Sequence, residues 1–480
     1  MSQVSTLSES KRKLLEKYLR DGAQNQANPT ARIPRRPQRQ SAPLSLSQEQ
    51  LVLRERRLHG DPAPYNECIT VKMLGPLNRS VLEQSFSEII RRHEIWRTTY
   101  DTNGGQLVQI VHPAGEATLR IIEHDLRGFR RHEQHALIER EVGAMVRQPF
   151  DLRQGPLLRA RLVHLADFEH RLYICAHLSI VDGVSVYQVL PSELCAIYSA
   201  YLLCQPSPLA DLDLQFGDYA YWQRNSLHGA EAEQANQIAF WSERLACPIP
   251  ILNWPAGRVR PVNETFRGAI RAFSIPQELV HSVKALSRSQ GATFFMTLLA
   301  AFVALLHSYT GQDDIIVGTP SPAGRKRAEV QNLLGYFLNP VALRFDLTTN
   351  PTFHQLLRQT QQIILEALAH DDVPLEVLYQ NLGLQTDSSR SPFFTVAMSL
   401  QPPMPEIDLP WSVTSMDVES GGAPWDLYIA FIDQPGETMA RVQYNPDVFS
   451  QEAIEQTLRD YQDLLSAVTA DPERPVRPVG

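Results

Sequence analysis

The stretch Tyr173–Leu190, YICAHLSIVDGVSVYQVL, changes its pattern twice. Its apolar start, ending at His177, has the make-up of a buried strand; a loop carries Asp182-Gly183; from about Ser185 the apolar residues continue as a helix. In α/β folds this is where sites are built, because residues just past a strand end are free of the ladder and point into the space above the sheet. His177 and Asp182 stand at that point. On composition alone, a lone His and Asp read as structural before they read as catalytic. Gly183 permits a tight turn ahead of the helix, and Ser185 either caps that helix or offers a hydroxyl to a cavity.

Working outward, LLRARLVHL (157–165) and RLYICAH (171–177) are strand-like runs joined by a polar turn at Ala166–His170, which predicts a hairpin. Asn78–Arg92 has apolar residues at helical spacing, and Leu107–Val111 and Leu119–Glu123 read as strands. Val184–Leu203 reads as one long apolar helix, and the Pro and Asp residues of Gln205–Asp213 mark a boundary. Beyond it, Gln277–Ser289, Thr293–Tyr309 and Phe353–His370 are predicted helices. Asp314–Gly318, Val341–Phe345, Phe393–Leu400, Leu427–Ile432 and Met439–Tyr444 are predicted strands. The expectation is an α/β (α+β) chain of two mixed lobes, 44–205 and 206–480, with no short repeat. Residues 1–43 differ: Thr6 and Glu9 form a capping-box pattern ahead of a short basic helix, and NQANPTARIPRRPQRQSAP follows as a linker able to bury little. That segment either docks a partner or packs on its own domain.

The 480 residues, 43% hydrophobic and 20% charged, exceed one ordinary core. A formal charge of −8 gives no positive field for nucleic acid or an anionic membrane. The longest apolar stretch, Phe294–Leu306, falls short of the roughly 20 residues that span a bilayer, and MSQVSTLSES is not a secretory signal, so a cytoplasmic location is expected. The five cysteines, Cys68, Cys175, Cys195, Cys204 and Cys247, are odd in number and scattered, which reads as free thiols. No metal is expected: His132, His135 and Glu139 share a helical face, but RRHEQHALIEREV reads as a polar helix exterior. Gly311 and Gly318 flank a strand without a phosphate-cradling pattern.

Seven further segments fall in order around the opening stretch: PLSLSQEQLVL (43–53), RRHEIWRTTY (91–100), YTGQDDIIVGTPSPAGR (309–325), LLGYFLNPVALR (333–344), HDDVPLEVL (370–378), SRSPFFTVAMSLQ (389–401) and YNPDVF (444–449). Together they resemble the condensation domains of nonribosomal peptide synthetases, relatives of chloramphenicol acetyltransferase, and the opening stretch is similar to their H-H-x-x-x-D-G signature. The resemblance implies two acetyltransferase-like lobes in a V-shaped pseudo-dimer. A central tunnel would admit the phosphopantetheine arms of an upstream and a downstream carrier protein, with no cofactor of its own. It also implies that Asp182 pairs with Arg97 of the R-H-E-x-x-R motif, and that Trp425, in a W-D-L resembling the family's F-D-L, lies near the tunnel. The tail ADPERPVRPVG resembles a linker preceding an adenylation domain.

The departure is at the centre. Asp182-Gly183 aligned on the family's D-G puts His177 at the first histidine and Leu178 at the second, to which the family assigns catalysis. No other histidine has an Asp four residues after it, so the motif has not slipped. His177 is a poor substitute, because neighbours on an extended strand face opposite ways. Amide bond formation is therefore expected to be impaired or atypical, within a synthetase or a hybrid polyketide/peptide assembly line. The alternatives are a catalytically silent gating or recruitment module, a heterocyclisation-type domain (His177-x-x-x-x-Asp182-x-x-Ser185 against D-x-x-x-x-D-x-x-S), and an acyltransferase using a small-molecule thioester.

Overall fold

The computed structural model describes residues 32–56, 62–116, 118–229, 231–246, 248–254, 258–383, 391, 393–434 and 436–476. The basic helix expected before residue 20 and the last residues of the tail lie outside them.

Strands β1 (Ser41–Pro43), β2 (Asn66–Leu74), β3 (Thr98–Asn103), β4 (Gln106–Val111), β5 (Ile121–Asp125), β6 (Leu158–Ala166) and β7 (Glu169–His177) belong to the first lobe. The second half supplies β8 (Ala269–Ile275), β9 (Asp314–Ser321), β10 (Asn339–Asp346), β11 (Val396–Leu400), β12 (Trp411–Ser415), β13 (Leu427–Gln434) and β14 (Glu437–Tyr444). They form a small sheet β1-β4-β3 and two larger sheets, β12-β2-β7-β6-β5 and β10-β9-β11-β13-β14-β8. Both larger sheets mix parallel and antiparallel pairs, and helices cover them, so the fold is α+β with one apolar core per lobe.

The β6–β7 hairpin forms as its sequence predicts. The helix of Asn78–Arg92 spans Arg79–Arg92, with the Asn78 side chain accepting the Val81 N–H. Phe294–Thr310 is buried almost throughout; Thr293 caps its start, and Gly311 ends it at φ 65°. Among the described residues no single helix is long and apolar enough to cross a membrane.

Three features differ from the sequence reading. Val184–Leu203 is not one continuous α-helix: a π-turn over Ser185–Val189 precedes the α-helix Leu190–Leu202. Pro191 lacks an N–H and crowds the carbonyl four residues back, which widens the turn before it. Strand β12 lies in the first lobe's sheet although it follows residue 206. The chain leaves the second sheet at Leu400, pairs antiparallel with β2, Trp411 opposite Met73, and returns as β13 beside β11. Its alternation buries Trp411, Val413 and Ser415 and covers an edge of β2 that would otherwise stand open. Finally, part of the expected linker is packed. Ile33 joins the first core, and the Arg36 guanidinium is buried between Glu94 (2.6 Å) and Asp218 (3.0 Å). The arginines that make the segment look soluble are what bind it.

Candidate active site

Strand β7 carries His177 to its C-terminal end, directly opposite Asn66 on β2. Both side chains turn toward the helix Arg131–Arg147 and the chain after it. Asn66 Nδ2 donates to the carbonyls of Val146 (2.7 Å) and Gln148 (2.9 Å), and the His177 ring meets Phe150 and Tyr65 edge-on. His177 is fully buried and both ring nitrogens are occupied. Nε2 lies 2.6 Å from Glu55 Oε2, and Nδ1 lies 2.6 Å from Ser179 Oγ. With a carboxylate at Nε2, the neutral ring carries its proton there and accepts at Nδ1. The helix Leu46–Arg56 supplies Glu55, and its Gln48 donates to the Ser179 carbonyl (2.9 Å), so PLSLSQEQLVL buttresses this turn.

Leu178 opens the next turn and is half-buried. Its N–H donates to the Tyr65 carbonyl at 2.7 Å, and its side chain packs with Leu51, Tyr65, Tyr336 and Leu338, a nest built from both lobes. Burial pushes the Tyr65 hydroxyl up to about 12, against the opposing pull of Arg54, and holds Tyr336 well above the usual phenol range. None of these side chains accepts a proton near neutral pH.

Asp182 is buried and fully bonded. Arg325 grips it with two parallel bonds, Nη2 to Oδ1 at 2.8 Å and Nε to Oδ2 at 2.9 Å. The Ser185 N–H donates to Oδ1 (2.7 Å) and the Phe337 N–H to Oδ2 (3.2 Å). Arg325 Nη1 donates to the carbonyls of Val330, Gln331 and Leu333, and its plane lies over Phe337. The expected Arg97–Asp182 pair is therefore not formed. Arg97 donates to the His112 carbonyl and lies 4.0 Å from Glu94, at the rim of its own lobe. The reason is the short turn Glu94–Arg97, which aims Arg97 at β4 and its exit, leaving Asp182 to an arginine of the second lobe.

The rest of R-H-E-x-x-R ties helices and lobes together. Arg92 binds Glu193 through two bonds (2.9 and 3.2 Å), His93 Nε2 meets the same carboxylate (2.9 Å), and His93 Nδ1 accepts the Leu334 N–H (3.2 Å). Ser185 Oγ donates to the Gly335 carbonyl and accepts from its N–H, both at 3.1 Å. It does not cap its helix, since Asp182 takes that place. Gly335 holds φ 153° with its missing Cβ against the Phe216 ring, a combination only glycine meets. Gly183 has no left-handed backbone; its missing Cβ leaves room for Gln401 Oε1, which would lie 2.6 Å from one. Trp425 stands just before β13 and packs against Phe394 and Tyr428.

Sequence reasoning passed over Glu67, an acidic residue in the strand NECITVKML. It sits opposite Ala176, on the face of β2 away from His177, and is half-buried. Burial pushes its carboxyl up to about 7; a hydrogen bond with Ser415 opposes the shift, and Asp417 adds to it.

These features meet a known pattern. The model of the condensation domain matches residues 38–480. The chain belongs to the condensation-domain family. It is 38% identical over 450 residues to one of the linear gramicidin synthase proteins of Brevibacillus parabrevis, covering 92% of this chain and 6% of that protein. It is 32% identical over 475 residues to phosphinothricin tripeptide synthetase PhsC of Streptomyces viridochromogenes, covering 98% of this chain and 43% of that one. This condensation domain thus spans less than half the length of either relative. Among solved structures, the X-domain from teicoplanin biosynthesis is similar at 25% identity and TM-score 0.79, covering 93% of this chain and 99% of that one. The first condensation domain of the calcium-dependent antibiotic synthetase shares the fold, with a TM-score of 0.79 over 92% of this chain and 98% of that one at 20% identity. The fold is accordingly the two-lobed one of chloramphenicol acetyltransferase relatives.

Proposed function

We propose that this domain holds an acyl donor and an amine acceptor, each tethered to a carrier protein by phosphopantetheine, and forms the amide between them without a histidine at the motif's second position. The observation that carries this reading is the contrast inside one motif: Asp182 and Ser185 keep a complete bridge between lobes, while Leu178 puts a leucine in an apolar nest where the family has imidazole. A lost base removes about 10²- to 10⁴-fold in rate. Holding two tethered substrates together supplies several kcal/mol of barrier reduction without one. The carriers would be one upstream and one downstream, with an adenylation domain following; the short basic helix expected near the N-terminus would dock a partner in trans. Intact-mass analysis of a loaded donor and a loaded acceptor incubated with this chain tests the reading. Transfer of the acyl group to the acceptor carrier is the expected result, and none over hours overturns it.

A second reading is favoured by one comparison, the likeness to a domain solved in complex with OxyB: 24% identity, TM-score 0.79, over 95% of this chain and 99% of that one. In it the domain recruits a tailoring enzyme to a carrier-bound chain and makes no amide. Carrier binding without transfer would support it.

A further inference from the structure

Cys68 on β2 and Cys175 on β7 stand directly opposite each other, next on their face of the sheet to the pair Asn66 and His177 at the strand end. Three backbone bonds fix what kind of pair they are. The Leu178 N–H donates across the same two strands to the Tyr65 carbonyl (2.7 Å), and by the alternation of an antiparallel ladder Asn66–His177 and Cys68–Cys175 are then pairs with no bond between their backbones. The His177 N–H donates to Leu157, just ahead of β6 (3.0 Å), so Cys175, two residues earlier, also turns its backbone toward β6. The Cys68 carbonyl accepts the Met416 N–H just past β12 (3.0 Å), which turns it away from β7. Pairs of this kind hold their Cα atoms about 4.5 Å apart with side chains on one face, inside the span of about 4.4–6.8 Å that disulfides bridge. Cys175 Sγ lies 4.0 Å from the Val146 carbonyl, to which Asn66 also donates, so both thiols face the helix Arg131–Arg147. Both are free, and they are 2% and 0% exposed.

We propose that Cys68 and Cys175 are a redox pair, which an oxidant of the small-disulfide class converts into a cross-strand bridge that locks β2 to β7 beside the motif. The proposal stands apart from whether the domain forms an amide. One cysteine, as thiolate, attacks a sulfur of the small disulfide; a mixed disulfide forms and the first small thiolate leaves. The second cysteine thiolate then attacks the protein sulfur of that mixed disulfide and displaces the second small thiolate. The two cysteines lose two electrons and two protons, and the small disulfide is reduced to two thiols.

The fold sets when this can happen. With the helix closed over them neither sulfur can be reached, and burial raises both thiols, Cys175 to about 12, so thiolate is scarce. Exchange therefore starts when the end of Arg131–Arg147 lifts from the sheet, and once the helix has closed again the bridge is shielded from small thiols. The bridge joins strands already in register, so it costs the native state little and restricts the unfolded chain between two distant residues. It would hold in place the strand ends that deliver Tyr65, His177 and Leu178.

The test incubates the whole chain with oxidised glutathione at about pH 8, with and without urea just below the unfolding transition, and follows it by intact mass and a non-reducing digest. The expected product has lost two hydrogens, joins the peptides of Cys68 and Cys175, and unfolds at least about 3 °C higher, and dithiothreitol in urea reverses all three changes. Urea should speed the bridge at least about tenfold while leaving the adduct at the exposed Cys204 nearly unchanged. Cys68→Ala and Cys175→Ala should each abolish both the bridge and the rise in midpoint. A rise that persists in either variant assigns it to another cysteine and overturns the pair. So do Cys68 and Cys175 that remain thiols in urea while Cys204 reacts, or mixed disulfides that never close. A bridge that lowers the midpoint overturns the fit between the two strands.

Discussion

Two neighbouring parts of one motif have been built in opposite ways. At Asp182 every acceptor site is filled, by a bidentate arginine and two backbone amides, and the partner arginine comes from the other lobe. At Leu178, four residues earlier, the side chain packs in a nest of leucines and tyrosines. The polar half holds the lobes in register and the apolar half offers no proton transfer, so integrity of the motif and its chemistry are separable properties. A fold can keep the one after the other is gone, because the bonds to Asp182 do not pass through residue 178.

The largest effect should come from breaking the polar half. Arg325→Ala leaves the Asp182 carboxylate buried without a partner, at about 3–5 kcal/mol, so the thermal midpoint should fall by roughly 5 °C or more. Arg97→Ala, which loses bonds only within its own lobe, should cost clearly less. Equal losses in differential scanning calorimetry would mean that Asp182 does not depend on the arginine that grips it.

Filling the apolar half is the next largest change. Leu178→His should raise amide yield at least about tenfold with loaded carriers, while the polar ring in the nest costs about 1–2 kcal/mol of stability. A large gain in stability together with no gain in product would show that the nest is unable to present an imidazole to substrate.

A smaller effect separates Glu67 from both. Its carboxyl has a higher pKa folded than unfolded, so the folded state binds its proton more tightly. The residue costs nothing at pH values below the unfolded pKa and destabilises increasingly as pH rises from there to about 7. Glu67→Gln should therefore raise the unfolding midpoint by about 2 °C at pH 8 and by much less at pH 5. An equal shift at both values would remove the burial effect from the account.

The smallest concerns the N-terminus. Deleting residues 1–31 should move the midpoint by under about 1 °C and weaken upstream carrier binding, whereas deleting 1–40 also removes Ile33 and the buried Arg36 and should cost several times more. Identical behaviour of the two truncations would mean that Arg36 contributes nothing.

What the sequence could and could not reveal follows from how far each property reaches along the chain. The strand–loop–helix of Tyr173–Leu190, the β6–β7 hairpin and the buried helix Phe294–Thr310 were legible because hydrophobic period, turn residues and caps are local. Leu178 at the motif's second position was equally legible, since it is a matter of spacing alone. The partner of Asp182 was not. Arg325 lies 143 residues away, and an arginine at one distance reads like an arginine at another until sheets and turns have set their directions. β12 was missed for the same reason: five residues of weak alternation become a strand when β2 offers them an unpaired edge. Glu67 shows the limit most plainly. Its identity is in the sequence, but its proton affinity is set by burial, with Asp417 adding to the shift and Ser415 opposing it, and residues so far along the chain come beside it only through tertiary structure.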